Sequence, residues 1–167
     1  MKKSEFIMLV ERLAIKNERE YGGCSQCVVA AFKESTDRIS DDVFKAATGL
    51  AGGIGITGKT CCGAITGGIM VLSTYLGREY NNFKDPNKIR FETFKMSKEL
   101  VNRFEAEYGT VVCDEIKKKI MGRTFNLWDE KEYEEFLAAG GHDDKCPLVC
   151  GNAAKWVAEI LVEKELI

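Results

Sequence analysis

Six of the chain's seven cysteines fall in three close sets, Cys24/Cys27, Cys61/Cys62 and Cys146/Cys150, and each set opens what reads as a helix. A helix N-terminus presents unpaired backbone N–H groups and partial positive charge. A cysteine there is biased toward thiolate, the form that ligates metals and attacks disulfides. The residue types therefore point to metal or redox chemistry. Cys24-Ser25-Gln26-Cys27 has the C-x-x-C spacing of a dithiol oxidoreductase, but that chemistry usually rides on a βαβ unit, and none is evident here. One of this pair could equally be a packed core thiol. Cys61 and Cys62 project roughly 100° apart on a helix, so one of them is the better candidate. Cys62 is preferred because Gly63 and Gly67 beside it leave room for a cluster or a partner helix. Cys146 and Cys150 share one helix face at i and i+4, a spacing compatible with two ligands to one metal site. Cys113 stands alone, and an isolated apolar-flanked cysteine is as readily core as chemistry. The single histidine, His142, lies four residues before Cys146 in a glycine-acid stretch, where solvent exposure is the simpler expectation and a mixed Cys/His site the alternative.

One further pattern needs weighing. Gly53-Ile54-Gly55-Ile56-Thr57-Gly58-Lys59-Thr60 matches the phosphate-binding pattern G-x-x-x-x-G-K-[ST] letter for letter. That pattern needs a buried β-strand in front of it, whereas Asp41 to Leu50 reads as helix. A glycine turn admitting the chain to a close-packed helix is the preferred reading, and nucleotide binding ranks last.

The elements that position these residues follow from periodicity. Phe6, Leu9, Val10 and Leu13 repeat as an amphipathic helix does, over about Ser4 to Glu20, ended by Tyr21-Gly22-Gly23. A second helix runs from Cys24 to about Ser35, and a third begins near Ser40 with Asp41 and Asp42 in its first turn. Thr60 is the expected N-cap of a fourth helix, with Cys61 and Cys62 in its first turn and a small-residue face of Gly63, Ala64, Gly67 and Gly68. Pro86 suits the first turn of a long helix carrying Phe94, Val101, Phe104 and Tyr108 on one stripe. Thr110 to Met121, Asp129 to Ala139 and a last helix capped near Cys146 complete the chain. Almost nothing alternates with period two. The expectation is an all-α, single-domain helical bundle of six to eight helices over residues 1–167, with a glycine-rich turn before the Cys-Gly-Ala helix.

Composition narrows the function classes. The 167 residues carry a formal charge of −2 with Lys and Glu interspersed, so no basic stripe points to nucleic acid, and Lys117-Lys118-Lys119 reads as a solvated helix face. The apolar run from Phe6 to Val10 is too short for a signal peptide or a membrane span. A cytoplasmic address is expected, where abundant cysteine argues for ligation or catalysis over structural disulfides. The phenylalanine-rich helices suit a homodimer as readily as a monomer core.

Cys62-Gly63-Ala64-Ile65-Thr66-Gly67 resembles the redox-active family called C_GCAxxG_C_C, whose central motif is also written C-G-A-x-x-G. The resemblance extends to Gly23-Cys24-Ser25-Gln26 with Val28 to Phe32, the run Gly52 to Gly55, Cys113 before Asp114-Glu115, and Cys146 at the head of the last helix. It implies four characteristic cysteines at Cys24, Cys62, Cys113 and Cys146. The family is similar to the cysteine-rich domain of split-Soret cytochromes c. That likeness implies an iron–sulfur cluster held by those four thiolates for electron transfer with a redox partner protein. The chain has no C-x-x-C-H, so no haem is expected. Cys27, Cys61 and Cys150 are extra to the pattern and stand as additional or alternative ligands. A structural zinc site is the alternative metal, since four thiolates serve both. A metal-free thiol–disulfide protein, which would be an enzyme, is the alternative chemistry.

Overall fold

A computed structural model describes residues 2–167, which form eight α-helices: α1 (Lys3–Tyr21), α2 (Cys24–Ser35), α3 (Asp41–Ala46), α4 (Gly63–Tyr75), α5 (Ile89–Tyr108), α6 (Cys113–Met121), α7 (Glu130–Ala138) and α8 (Cys146–Glu163). No strand occurs among the described residues; Cys61 and Val112 make one isolated antiparallel bridge. The expected all-α bundle is the fold. No helix among the described residues is long and apolar enough to cross a membrane.

Helix α8 is the axis of the bundle. Its small and branched residues Cys150, Ala153, Ala154, Val157, Ala158 and Leu161 are fully buried, and α1, α2, α4 and α5 pack round them. Burying such side chains supplies the driving force, at roughly 25 cal/mol per Å² of apolar area. The α1 stripe is Phe6, Val10 and Ala14, continuing to Asn17 and Glu18 on the same buried face, while Leu9 and Leu13 are only half-buried. The small-residue face of α4 does what its spacing promises: a Cβ on Gly67 would stand 2.9 Å from the Ser25 Cα, so only glycine lets α4 cross α2 this closely.

Three helix starts differ from the sequence reading. Helix α6 opens at Cys113 and not at Thr110, because Val111 and Val112 join the extended pairing with Cys61 and Cys62. Helix α4 begins at Gly63 with Cys62 as its N-cap residue, because Thr60 to Cys62 is drawn into extended pairing: the Cys62 N–H donates to the Val111 carbonyl at 2.8 Å and the Cys113 N–H to the Thr60 carbonyl at 2.9 Å. Helix α5 begins at Ile89 and not near Pro86. The buried Asp85 carboxylate accepts from the Ile89 and Arg90 N–H groups at 2.7 and 3.2 Å and so sets the first turn. The buried stripe of α5 is Met96, Leu100, Phe104 and Tyr108, and Phe94 faces outward at 57% exposure.

Candidate thiol cavity

Four helices begin at one place. Cys24 is the first residue of α2, Cys62 the N-cap residue of α4, Cys113 the first residue of α6 and Cys146 the first of α8. All four line a single cavity of about 400 Å³, together with Cys150 one turn further along α8. The positive ends of the four helices are thus gathered round a set of sulfurs.

Local sequence explains how each thiol arrives. Gly23 adopts φ 82°, a left-handed conformation that turns the chain sharply from α1 into α2 and sets Cys24 at the cavity rim. Gly63 must lack a side chain, because a Cβ there would collide with the Cys24 sulfur and stand 2.9 Å from the Ala51 Cα. The Gly52 N–H donates to Cys24 Sγ at 3.4 Å. From Gly52 to Ile56 five consecutive residues have positive φ, including Ile54 at 64° and Ile56 at 51°. Branched side chains are costly there, and strain of this kind gathers at functional sites. Ile56 itself lines the cavity. The loop therefore serves the thiols. Its phosphate-binding reading lacks its context, since α3 and a short 3₁₀ turn precede it in place of a strand, and Lys59 is exposed.

The two remaining cysteines are not among the cavity's lining residues. Cys27 is buried beneath the α1–α2 turn, its thiol donating to the Gly22 carbonyl at 3.0 Å. Cys61 is half-buried in the bridge to Val112. C-x-x-C spacing thus sends Cys24 and Cys27 to different surroundings, and of the vicinal pair Cys62 lines the cavity while Cys61 does not.

Electrostatics reverse one expectation. Helix ends bias thiols toward thiolate, yet burial pushes the Cys113 thiol up to about 12 against the pull of Lys117, and burial also raises Cys146 and Cys150. For Cys62 a hydrogen bond to Cys24 is the larger influence holding the proton, followed by burial. The reason is magnitude. A helix terminus contributes roughly 0.3–2 kcal/mol, whereas removal from water moves a pKa by up to about 3–5 units. Burial thus holds the thiols of Cys113, Cys146 and Cys150 toward the protonated form.

Charged side chains that sequence reading passed over also line it. Lys117, taken as part of a solvated run, is 2% exposed; its ammonium lies 2.8 Å from Asp114 Oδ1 and donates to the Phe125 carbonyl at 3.4 Å. Its neighbours Lys118 and Lys119 are exposed. Glu18, also 2% exposed, stands 3.2 Å from His142 Nδ1. His142 is half-buried, contrary to the expected exposure, because Gly141 lets its segment close against Phe136 and the imidazole then stands edge-on to that ring at 5.2 Å. The available signals were positional: Glu18 is one turn beyond Ala14 on the apolar stripe of α1, and Lys117 one turn beyond Cys113 on α6.

Among the described residues no three His, Cys, Asp or Glu side chains stand close enough to hold one metal ion. A tetrahedral zinc site needs four ligands within about 2.3 Å of one point. A cluster is a larger body whose thiolates stand farther apart. Four thiols and gathered helix ends suit either group, and the absent side chain of Gly63 makes room for the Cys24 sulfur itself.

A family model described as "Putative redox-active protein (C_GCAxxG_C_C)" matches residues 23–160. The chain belongs to this family. The C_GCAxxG_C_C match begins one residue before Cys24, ends within α8 and takes in all seven cysteines. Its central letters have physical roles here: Cys62 supplies a cavity thiol, Gly63 clears space for the Cys24 sulfur and Gly67 admits the α2 backbone. No curated protein and no solved structure matches the chain.

Proposed function

We propose that this C_GCAxxG_C_C protein binds an iron–sulfur cluster through Cys24, Cys62, Cys113 and Cys146 and passes single electrons between unidentified redox partner proteins. The observation that carries the reading is the meeting of four thiols, from the starts of four helices, at one cavity. When bound, a cluster would supply one-electron redox chemistry. The chain's own part is to present the sulfurs, exclude water with Ile56, Ile116 and Phe136, and offset negative charge with four helix N-termini and the Lys117 ammonium. Cys150 stands ready as an alternative ligand. Seven unpaired thiols suit a reducing, cytoplasmic compartment.

A second reading is favoured by the contact between Cys62 and Cys24: in metal-free protein these two would be the exchanging pair, giving two electrons and two protons to an acceptor on forming a disulfide. Anaerobic purification followed by a visible spectrum and iron, sulfide and zinc analysis separates the cases. Iron with sulfide and a band bleached by dithionite supports the cluster. Zinc alone makes the site structural, and colourless metal-free protein whose Cys24 and Cys62 oxidise together supports thiol exchange.

A further inference from the structure

A second concave surface lies far from the thiols, where the end of α4 meets the start of α5. It is a groove of about 410 Å³ whose walls include Arg78, Tyr80, Phe83 and Phe94. Aromatic rings stand in solvent at or beside it: Tyr80 is 87% and Phe83 63% exposed, Phe94 projects outward, and the exposed Phe91 meets Phe94 edge-on at 5.7 Å. Single exposed apolar side chains are ordinary, but a cluster of them rimmed by charge marks an interaction surface. The floor of the groove is fixed. The Thr93 hydroxyl donates to the Leu76 carbonyl, and the buried Asp85 carboxylate accepts from Arg90 Nη1 at 2.9 Å. Helix α4 runs 13 residues from Gly63, beside Cys62, to Tyr75, roughly 20 Å at 1.5 Å per residue, so the groove is separate from the thiol cavity.

Charge selects the occupant. From Arg78 to Lys98 the chain carries six cations and three carboxylates, against a formal charge of −2 for the whole. Arg78, Lys84 and Lys88 are exposed and have no ion-pair partner among the described residues. The Arg78 guanidinium lies 4.0 Å over the Phe83 ring, and that of Arg90 lies 4.9 Å over Phe91. We infer that this groove docks an acidic segment of another protein. Its carboxylates meet Arg78, Lys84 and Lys88, and one large apolar side chain enters between Tyr80, Phe83 and Phe94. A guanidinium stacked on a ring keeps its N–H edge free, and that edge matches a carboxylate bidentately. The same stacking covers ring faces that the bases of a single-stranded nucleic acid would need. A flat lipid surface would leave the groove unfilled. A second copy docking patch to patch would set the three cations against themselves. A partner seated here leaves the thiol cavity open, whatever the thiols hold.

The test is fluorescence anisotropy of a labelled peptide, Asp-Glu-Leu-Trp-Glu-Asp, titrated with the full chain. Saturable binding is expected, at least tenfold weaker when Ser replaces Leu and Trp in the peptide and absent when Lys replaces its acids. Arg78→Glu, Lys84→Glu and Phe83→Ser change exposed residues, and each should weaken binding at least fivefold with an unaltered circular dichroism spectrum. Lys118→Glu, exposed on α6, should leave it unchanged. No saturable binding, or equal binding of the peptide lacking Leu and Trp, overturns the inference. So does tighter binding of oligothymidylate or of phosphatidylserine vesicles, or dimerisation of the chain that Phe83→Ser abolishes. Iron is measured on the same sample. Peptide binding by iron-free protein sustains the docking groove while the cluster reading fails; iron-loaded protein that ignores the peptide overturns the groove alone.

Discussion

The molecule has two packing units of different character, and the cavity lies where they meet. In the bundle, α1, α2, α4, α5 and α8 share one continuous core in which Phe32, Leu72, Leu100, Phe104 and Val157 are fully buried. The outer wall, made by the end of α6, α7 and the segment before α8, has its own small aromatic cluster of Phe125, Tyr133, Phe136 and His142 outside that core. Its further fastenings are exposed ion pairs from Arg123 to Glu132 at 3.0 Å and to Glu135 at 2.8 Å. Three of the four proposed ligands begin helices α2, α4 and α8 of the bundle, while Cys113 begins α6. A rigid unit thus holds most of the sulfurs, and a thinner unit decides what reaches them. Elements with few apolar partners open locally at lower free energy than a core does.

The comparison is broken or sharpened most strongly by matched truncations. Phe32→Ala is expected to cost about 3–5 kcal/mol of global stability in denaturant unfolding. Phe136→Ala, equally buried, is expected to cost roughly half of that or less, while making Cys113 and Cys146 react faster with an alkylating agent in metal-free protein. Equal losses with unchanged thiol reactivity would show that bundle and wall unfold as one.

Alkaline pH gives the next effect. A thiol raised in the folded state contributes stability that is full below its unfolded pKa and is lost as pH rises through the folded one. For Cys113 that window runs from 9.0 to about 12. Metal-free protein should lose about 1.4 kcal/mol per pH unit per such thiol across it, read from denaturation midpoints. Metal-loaded protein, its sulfurs already deprotonated, should not show this slope, and an identical slope in both would remove Cys113 from the ligands.

Gly63→Ala drives a methyl group against Cys24 Sγ and the Ala51 backbone; a loss of about 1–3 kcal/mol and a lower iron content are expected. An unchanged melting temperature and full iron loading would mean that the close approach is not needed. Smallest of all, Arg123→Ala should cost less than about 1 kcal/mol, because both its ion pairs are exposed. A larger loss would make the wall's surface charges part of its fastening.

Much of this arrangement was legible in the chain because it is local. Apolar residues recurring every three or four positions announced the helices, and glycines 22, 23, 109 and 122 marked their ends, each with positive φ. Cys24 and Cys146 open helices as their spacing indicated, whereas Cys113, expected inside a helix from Thr110, is the first residue of α6. Thr60 misled as a cap because the competing partner, Val111, is some fifty residues away and pulls Cys61 and Cys62 into extended pairing. Phe94 misled because an apolar residue one position off the stripe of α5 looks the same in sequence whether or not another helix covers it.

The sequence by itself determined the all-helical character, the glycines that end α1, α5 and α6, and the thiols Cys24 and Cys146 at helix starts, all of which depend on neighbours within one or two turns. Only the tertiary structure decided which thiols meet. It sent Cys27 under a turn and Cys61 into a bridge, brought Cys150 to the cavity beside the four expected sulfurs, and enclosed Glu18, Lys117 and His142 with them. Those outcomes depend on how closely helices cross and which face each crossing covers. Burial, a property of the assembled surfaces, then outweighed the helix ends at Cys113, Cys146 and Cys150, raising their thiols.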